Sequence, residues 1–596
     1  MATSPTVDTD GVLNVTIISS NKKVMKNLPL MTVTVRRAFN RIPWAELVIQ
    51  DGDMTTGEFE HGDTSAFEPG AVVTISAGFG SESAQIFSGT IVRFGVRIEG
   101  QNESRLVIEC RDTAAKMTIG RSNANYIQQK DSDILATLIG AHGLTANVES
   151  TTQQHDELVQ YYCSDWDFML ARAEANGMLV NVDAGTVNVQ PPKAEGDAVL
   201  TVTWGSNLYE FDAEIDARQQ FKSAQAVAWD PAQQQVVVGE AAAPGTLTTQ
   251  GNLKPVALAG VAGPDVMRLQ TATTQEQSAL TTWAKALQLK ATLARIRGRL
   301  RCQGNALLVP GALVVVSGVG LRFQGSVFVS AVEHTMAGGQ WFADVEFGLD
   351  PRWHMMRDDV AAPLASGLLP GVGGLQIGVV KKLDGDPQNA QRIQVALPVM
   401  QAQTEGVWAR LVQGYASNGF GMFFLPEVGD EVIVGYLNDD PSHPVVLGSL
   451  YSAARTPPYA IAAPNDTKAI VTRVQHKIEF NEKDKIITIT TPGNNKVVLD
   501  DTDKSILVQD QNGNSMKLSG NGIALDSPYD ITANAKGSIQ LKAVASIEIS
   551  AQADIKASAI NIGCEAQAGF TGKGAATAEL SASGQTTVRG GVVMIN

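Results

Sequence analysis

Between residues 523 and 557 every eighth position is apolar. Ile523, Ile531, Ile539, Ile547 and Ile555 form one series, and Leu525, Ala533, Leu541, Ile549 and Ala557 form a second series two residues later. Eight is even and the side-chain period of a strand is two, so each octad presents its apolar pair on the same face. The spacers carry Ser, Ala, Gly, Asp and Asn, which suit tight corners. One octad therefore reads as one short strand and one bend. Upstream the pairs are more loosely spaced: Ile478/Phe480, Ile487/Ile489, Val497/Leu499, Ile506/Val508 and Met516/Leu518, with hairpin-like turns at 481–484, 492–495 and 512–513. Antiparallel strands are expected there, leading into the strict octads. Two architectures satisfy the period: a single chain coiling with three octads per turn, or three chains that each give one side of a triangular prism. Five octads make fewer than two single-chain coils, too few to bury a core alone. The spacing therefore predicts an intertwined trimer, with Ile523, Ile531, Ile539, Ile547, Ile555, Leu525, Leu541 and Ile549 packed at its axis.

The rest of the chain is also mainly β in pattern. Residues 12–120 alternate in short runs, such as 12–18, 72–76 and 105–109, separated by turn signals at Asp51-Gly52 and Glu99-Gly100. This predicts an antiparallel barrel or sandwich. Two short helices are expected in 131–180. Ser164 and Asp167 have capping-box spacing for the second, Phe168, Ala171 and Ala175 share a face, and Gly177 ends it. Residues 238–264 read as a loop of small residues. An amphipathic helix follows, capped by Thr274 and Gln277, striped by Leu280, Trp283, Ala284 and Leu287, and stopped by Gly298. Residues 299–350 return to alternation. The predicted organisation is a large β domain (1–360), a Pro/Gly linker (361–374), a barrel of about five strands (375–451), a second linker (452–464) and the repetitive region (465–596).

Composition narrows the function classes. The 596 residues carry a net charge of −15, which argues against nucleic-acid binding through a basic stripe. The first eleven residues lack the basic start and apolar core of a secretory signal. The longest apolar run, 306–319, is broken by Pro310, Gly311 and Ser317 and is too short to span a bilayer. A soluble chain made in the cytoplasm is expected. Cys110, Cys163, Cys302 and Cys564 lie far apart and read as free thiols.

Catalytic signatures are absent. No GxSxG, HExxH or Walker loop occurs, and the GFTGKG string at 569–574 lacks P-loop spacing. Asp439 and Asp440 precede Pro441 and read as a turn rather than a carboxylate pair. The seven histidines do not cluster at metal-ligand spacing; His354 with Asp358 is a helix-spaced pair, and it reads as structural or surface. No histidine follows His476, so a His-bound metal at the chain's own end is not expected. Trp283 and Phe168 read as core residues. No catalytic, cofactor or metal residue is expected.

One string is specific. Trp408-Ala409-Arg410, Gly419-Phe420-Gly421, Leu425-Pro426-Glu427-Val428-Gly429-Asp430-Glu431-Val432-Ile433-Val434, Asp440-Pro441 and Pro444-Val445-Val446-Leu447-Gly448 together closely resemble the OB-fold domain of the VgrG family, the spikes of type VI secretion and related contractile injection systems. Trp408, Pro426, Gly429, Asp430, Pro441 and Gly448 carry the signature. Phe87-Ser88-Gly89-Thr90-Ile91, Ser164-Asp165-Trp166-Asp167-Phe168 through Gly177, and Pro310-Gly311 through Gly325 resemble, more loosely, a phage late-control-D tail-hub module.

The resemblance implies a homotrimer at the centre of a baseplate. Its hub would have two β-barrels per chain, and its needle would puncture a target envelope. The machine would be assembled in the bacterial cytoplasm as part of a contractile particle, with release outside the cell and membrane attachment both compatible. Implied partners are an inner tube or hub adaptor, baseplate wedge proteins, effector cargo and a PAAR-type tip protein. The last would dock on Val592, Val593, Met594, Ile595 and Asn596. The interval 452–464 is too short for an inserted lysozyme, and no toxin extension is expected after Asn596. The alternatives are a bacteriophage tail spike, or a β-helical carbohydrate-active enzyme or adhesin. The enzyme or adhesin would need acidic or aromatic clusters, and the octads offer only Glu548 and Asp554.

Overall fold

The computed structural model describes residues 4, 11–20, 22–24, 28–81, 83–100, 103–194, 196–401 and 405–595. They form two compact units, Met1–Leu450 and Tyr451–Asn596.

The first unit is mainly β. Its largest sheet runs, in spatial order, through Leu208–Ile215, Ile296–Gln303, Gln340–Phe347, Gly325–Ala337, Leu30–Ala38, Trp44–Gln50, Glu103–Arg111, Ala84–Glu99, Val72–Phe79 and Leu13–Ser19. The long strand Gly325–Ala337 joins its two halves. Its first residues pair with Leu313–Ser317, and residues 331–337 pair with Leu30–Ala38. Each half packs on its own core. One is built on Val33, Leu47, Ile75, Leu106 and Ile108, the other on Leu200, Val202, Leu300, Val314 and Val345. Buried and half-exposed positions alternate along these strands, as a sheet with one face in a core requires.

The helices Asp131–Ala141 and Asp165–Ala175 pack with short hairpins around Ile134, Met169, Val180 and Val187. Ser164 caps the second helix as expected, its Oγ accepting from the Asp167 N–H at 3.1 Å, and Gly177 follows it at φ +68°. The buried stripe differs from the expected one. Trp166, Met169, Leu170 and Ala173 join Phe168 in the core, whereas Ala171 and Ala175 are half-exposed.

The third helix region departs further from the sequence reading. The expected loop at 238–264 contains the end of a strand, Gln235–Ala241, and a helix, Pro255–Ala262. The amphipathic helix spans Gln277–Ala294 and packs Leu280 and Ala284 against the sheet formed by Ser223–Asp230, Gln235–Ala241 and Val266–Thr271. Thr274 does not cap it: Glu276 holds the N-cap position without a side-chain bond, and the Thr271 and Thr273 hydroxyls are tied to each other at 2.8 Å. Gly298 does not stop it either. The helix ends at Ala294 and Gly298 lies inside strand Ile296–Gln303, where a Cβ would sit 2.4 Å from the Asp212 carbonyl. Close backbone approach accounts for that glycine.

Five strands, Gln376–Lys382, Ile393–Ala396, Val407–Leu411, Glu431–Tyr436 and Pro444–Ser449, close into a small barrel. Val380, Val395, Ala409, Val432, Val434 and Val446 fill it. Closure leaves no unpaired sheet edge.

The second unit has a different logic. Seven antiparallel strands follow one another as a meander: Thr467–Val471, Lys477–Asn481, Ile486–Thr490, Lys496–Asp500, Ser505–Gln509, Ser515–Ser519 and Gly522–Asp526. Beyond residue 526 no further strand is paired among the described residues.

Candidate assembly surfaces

The register of the meander aligns the loosely spaced apolar pairs. Ile478 lies opposite Ile489, Phe480 opposite Ile487, Ile489 opposite Val497, Leu499 opposite Ile506, Val508 opposite Met516 and Leu518 opposite Ile523. All therefore share one face. Glu479, Thr488, Val498, Leu507 and Lys517 form the other, mostly polar face. Within this unit the apolar face stays uncovered: Ile487 is 37% exposed and Ile506 41%. Burying each such side chain is worth about 1.5–3 kcal/mol, so an open stripe of this length marks a contact surface.

From 530 onward the chain is extended and bends at 536–537, 544–545, 552–553, 560, 567–568, 575–576, 583–584 and 591–592. The octad thus continues well past Ile555. The step from 552–553 to 567–568 is fifteen residues rather than sixteen, so one unit has seven residues. Allowing for that, the second residue past the end of each bend is Ile539, Ile547 and Ile555, then Ile562, Phe570, Ala578, Thr586 and Met594, in step with Ile531 before them. The fourth residue past it is Leu541 and Ile549, then Ala557, Cys564, Gly572, Leu580 and Val588. The missing residue hides these later units from a search for a fixed period. Ile539 is 58% exposed and Phe570 76%. No backbone–backbone hydrogen bond joins residues 530–595 to one another among the described residues. Folded chains pair their backbone groups in regular structure, and this stretch finds no such pairing among the described residues.

The terminal cluster Val592, Val593, Met594 and Ile595 is exposed; Asn596 lies outside the described residues. In the barrel, the signature residues cluster near a turn and a loop. Gly429, at φ +90°, donates to the Val380 carbonyl at 2.8 Å, and Asp430 accepts from the Glu427 N–H. Pro426 is buried, Trp408 is half-buried in its strand, and Gly448 sits in the last strand. Asp440 forms the turn at Pro441 by accepting from the Ser442 N–H at 2.8 Å and from His443 at 3.0 Å. Between these features Phe420, Met422, Phe423 and Phe424 point to solvent, an apolar edge that pattern reading missed because it lies in a loop without strand periodicity.

The titratable clusters are structural. Burial would raise the Asp131 carboxyl, but a two-pronged Arg172 contact (2.7 and 2.9 Å), Asn176 and His155 hold it down to about 2. Burial brings His334 down to about 4, with Nδ1 accepting from the Trp341 indole at 3.3 Å. His354 pairs with Asp167 at 2.8 Å, not with Asp358. Among the described residues no three His, Cys, Asp or Glu side chains are grouped to hold a metal, and no helix is long and apolar enough to cross a membrane. All four thiols are free, and burial pushes those of Cys110 and Cys302 up to about 12.

Two segments of the chain match known families. Residues 9–338 match the family described as Alg8 N-terminal domain, and residues 376–451 match the type VI secretion system/phage-baseplate injector OB domain. The type VI secretion system spike protein VgrG1b of Pseudomonas aeruginosa is 28% identical over 30% of this chain and 25% of its own length. VgrG3 of Vibrio cholerae is 32% identical over 19% of this chain and 12% of its own. The actin cross-linking toxin VgrG1 of V. cholerae is 41% identical over 13% of this chain. The chain spans 7% to 25% of the length of these relatives. Among solved structures, the 43 kDa tail protein of a Shewanella oneidensis prophage covers 57% of this chain and 98% of its own at 10% identity, with a TM-score of 0.43. A type VI secretion component of E. coli covers 74% of this chain and 99% of its own at 12% identity, with a TM-score of 0.36. With an Alg8 N-terminal domain over more than half its length and an injector OB domain behind it, the chain belongs to the Alg8 N-terminal domain family and is similar in part to type VI secretion spike proteins.

Proposed function

We propose that three copies of the chain build the hub and needle at the centre of a contractile baseplate, and that the role is mechanical rather than catalytic. One observation carries this reading. The region 465–595 has a continuous apolar sheet face and a long period-eight tail, and neither finds a partner within its own unit. A triangular prism of three identical chains supplies both partners at once. It buries the Ile539 series at an axis and gives each extended segment a neighbour on either side.

In this reading residues 1–360 form the hub that meets the inner tube and wedge proteins, 375–451 the barrel collar, and 465–596 the needle. The Phe420–Phe424 edge supplies barrel-to-barrel contact across the three-fold axis. The exposed apolar cluster Val592, Val593, Met594 and Ile595 receives a separate PAAR-type cap. Effector cargo rides on this assembly, which punctures the target envelope when the sheath contracts. The test is the mass of the full chain in solution, with and without detergent. Three times 63.2 kDa, surviving mild detergent, is the expected result; 63.2 kDa at high concentration contradicts it.

A further inference from the structure

The first unit holds a cleft of about 990 Å³ between the sheet and the helical cluster. Arg36, Arg41, Arg111, Arg121 and Arg357 line it, a concentration of cation at odds with a chain of net charge −15. Two of these guanidinium groups are already engaged, Arg36 by Glu333 and Glu346, and Arg111 by Glu109. Arg121 spends its donors on the carbonyls of Tyr162, Asp359 and Val360. Arg41 and Arg357 have no carboxylate within ion-pair distance among the described residues. Of the two acids at the rim, Asp167 is held by His354 and Ser164, while Asp359 acts on Arg41 only through space. Burial, then Arg357 and Arg36, push the Arg41 pKa down, as expected of cations crowded without a counter-charge.

The complementary surface lies on the same domain. The loop after strand Trp44–Gln50 carries Asp53, Glu58, Glu60, Asp63 and Glu68, all exposed and none in an ion pair among the described residues. Asp51 fixes the loop's shape by accepting from the His61 and Gly62 N–H groups. Loop and cleft sit at opposite ends of the same paired strands. Trp44 and Arg111 are partners at the cleft end, and Gln50 and Arg105 are partners at the loop end. At ~3.3 Å per residue that separation is about 20 Å, so a chain cannot insert its own loop into its own cleft.

We infer that the arginine cleft receives the acidic loop of a neighbouring copy, a head-to-tail contact that closes the hub into a ring. Such heterologous contacts generate rings when the rotation closes, and opposite charges fix which surfaces meet. This inference rests on the trimer proposed above.

The test uses the full chain with Cys163 and Cys564 replaced by serine. Thr118→Cys at the cleft rim is combined in turn with Thr56→Cys and Ser65→Cys in the loop, and each is treated with a short bismaleimide. The expected result is covalent dimers and trimers from at least one pair. R41E/R357E should cut their yield at least tenfold while the particle mass stays trimeric, and adding E58R/E60R should restore it. A trimeric particle that gives no inter-chain product from either pair overturns the inference, as does a yield that R41E/R357E leaves unchanged. A chain that sediments as a monomer overturns the trimer itself and is distinguished by its mass.

Discussion

The hub and the needle solve the problem of burying apolar surface in opposite ways. In the hub, alternating strands wrap around two cores, and residues such as Leu47 and Ile108 reach 0% exposure within one chain. In the needle, the same alternation yields a sheet and a tail whose apolar positions remain open, with Ile539 at 58%. The hub sequence specifies a fold, whereas the needle sequence, on the trimer proposed above, specifies half of an interface. The needle's stability should therefore depend on protein concentration, and the hub's should not.

Substitutions can break that contrast. Ile539→Asp places three carboxylates around one axis, each costing several kcal/mol when buried unpaired, and should abolish needle assembly. Sedimentation would then show loss of the trimer with hub circular dichroism intact. Phe570→Asp should have a similar but smaller effect, confined to the distal end, where a frayed tail can let water reach the charge. It separates a repeat that continues past Ile555 from one that stops there. Leu47→Ala should cost the hub about 2–5 kcal/mol by leaving a cavity, with a denaturation midpoint independent of dilution.

The pattern was most legible where structure is local. The Ser164 cap, the two flanking helices, the five-strand barrel and the aligned pairs of the meander all follow from nearby residues. It failed where packing over distance decides. Helix Pro255–Ala262 is apolar or small at every position, so no amphipathic period announces it. Gly298 resembles a helix stop but is demanded by the Asp212 carbonyl on a neighbouring strand. His354 finds Asp167 across 187 residues, which no spacing rule anticipates. The octads were legible until one residue was dropped from one unit, because counting by eight cannot survive a step of seven. The arginine cleft was invisible for the same reason as the His354 pair: its members come from distant segments.

Three smaller effects sharpen the comparison. His334 sits near a pKa of about 4 in the folded hub against 6.5 when free, so the unfolded chain takes up the proton first as pH falls. Its contribution is complete above pH 6.5 and is lost toward pH 4, at most about 3 kcal/mol. Asp131, held at about 2 against 3.8, adds a loss below pH 4 of about 2 kcal/mol. Urea titrations of the hub across this range should show the midpoint falling in those two steps, and Asp131→Asn should remove the second. Ser164→Ala should cost about 1 kcal/mol through the lost helix cap, read as a small drop in the hub's melting temperature.

The central claim is that the tail's backbone is paired between chains, and amide hydrogen exchange across residues 530–595 of the full chain tests it most directly. The account predicts strong protection of the segments between bends, with fast exchange at the bends themselves, at intervals of eight broken by the one interval of seven. It also predicts that Ile539→Asp erases this protection while leaving hub amides unchanged. Exchange at unstructured-chain rates throughout 530–595, at concentrations where the protein is fully assembled, would contradict it.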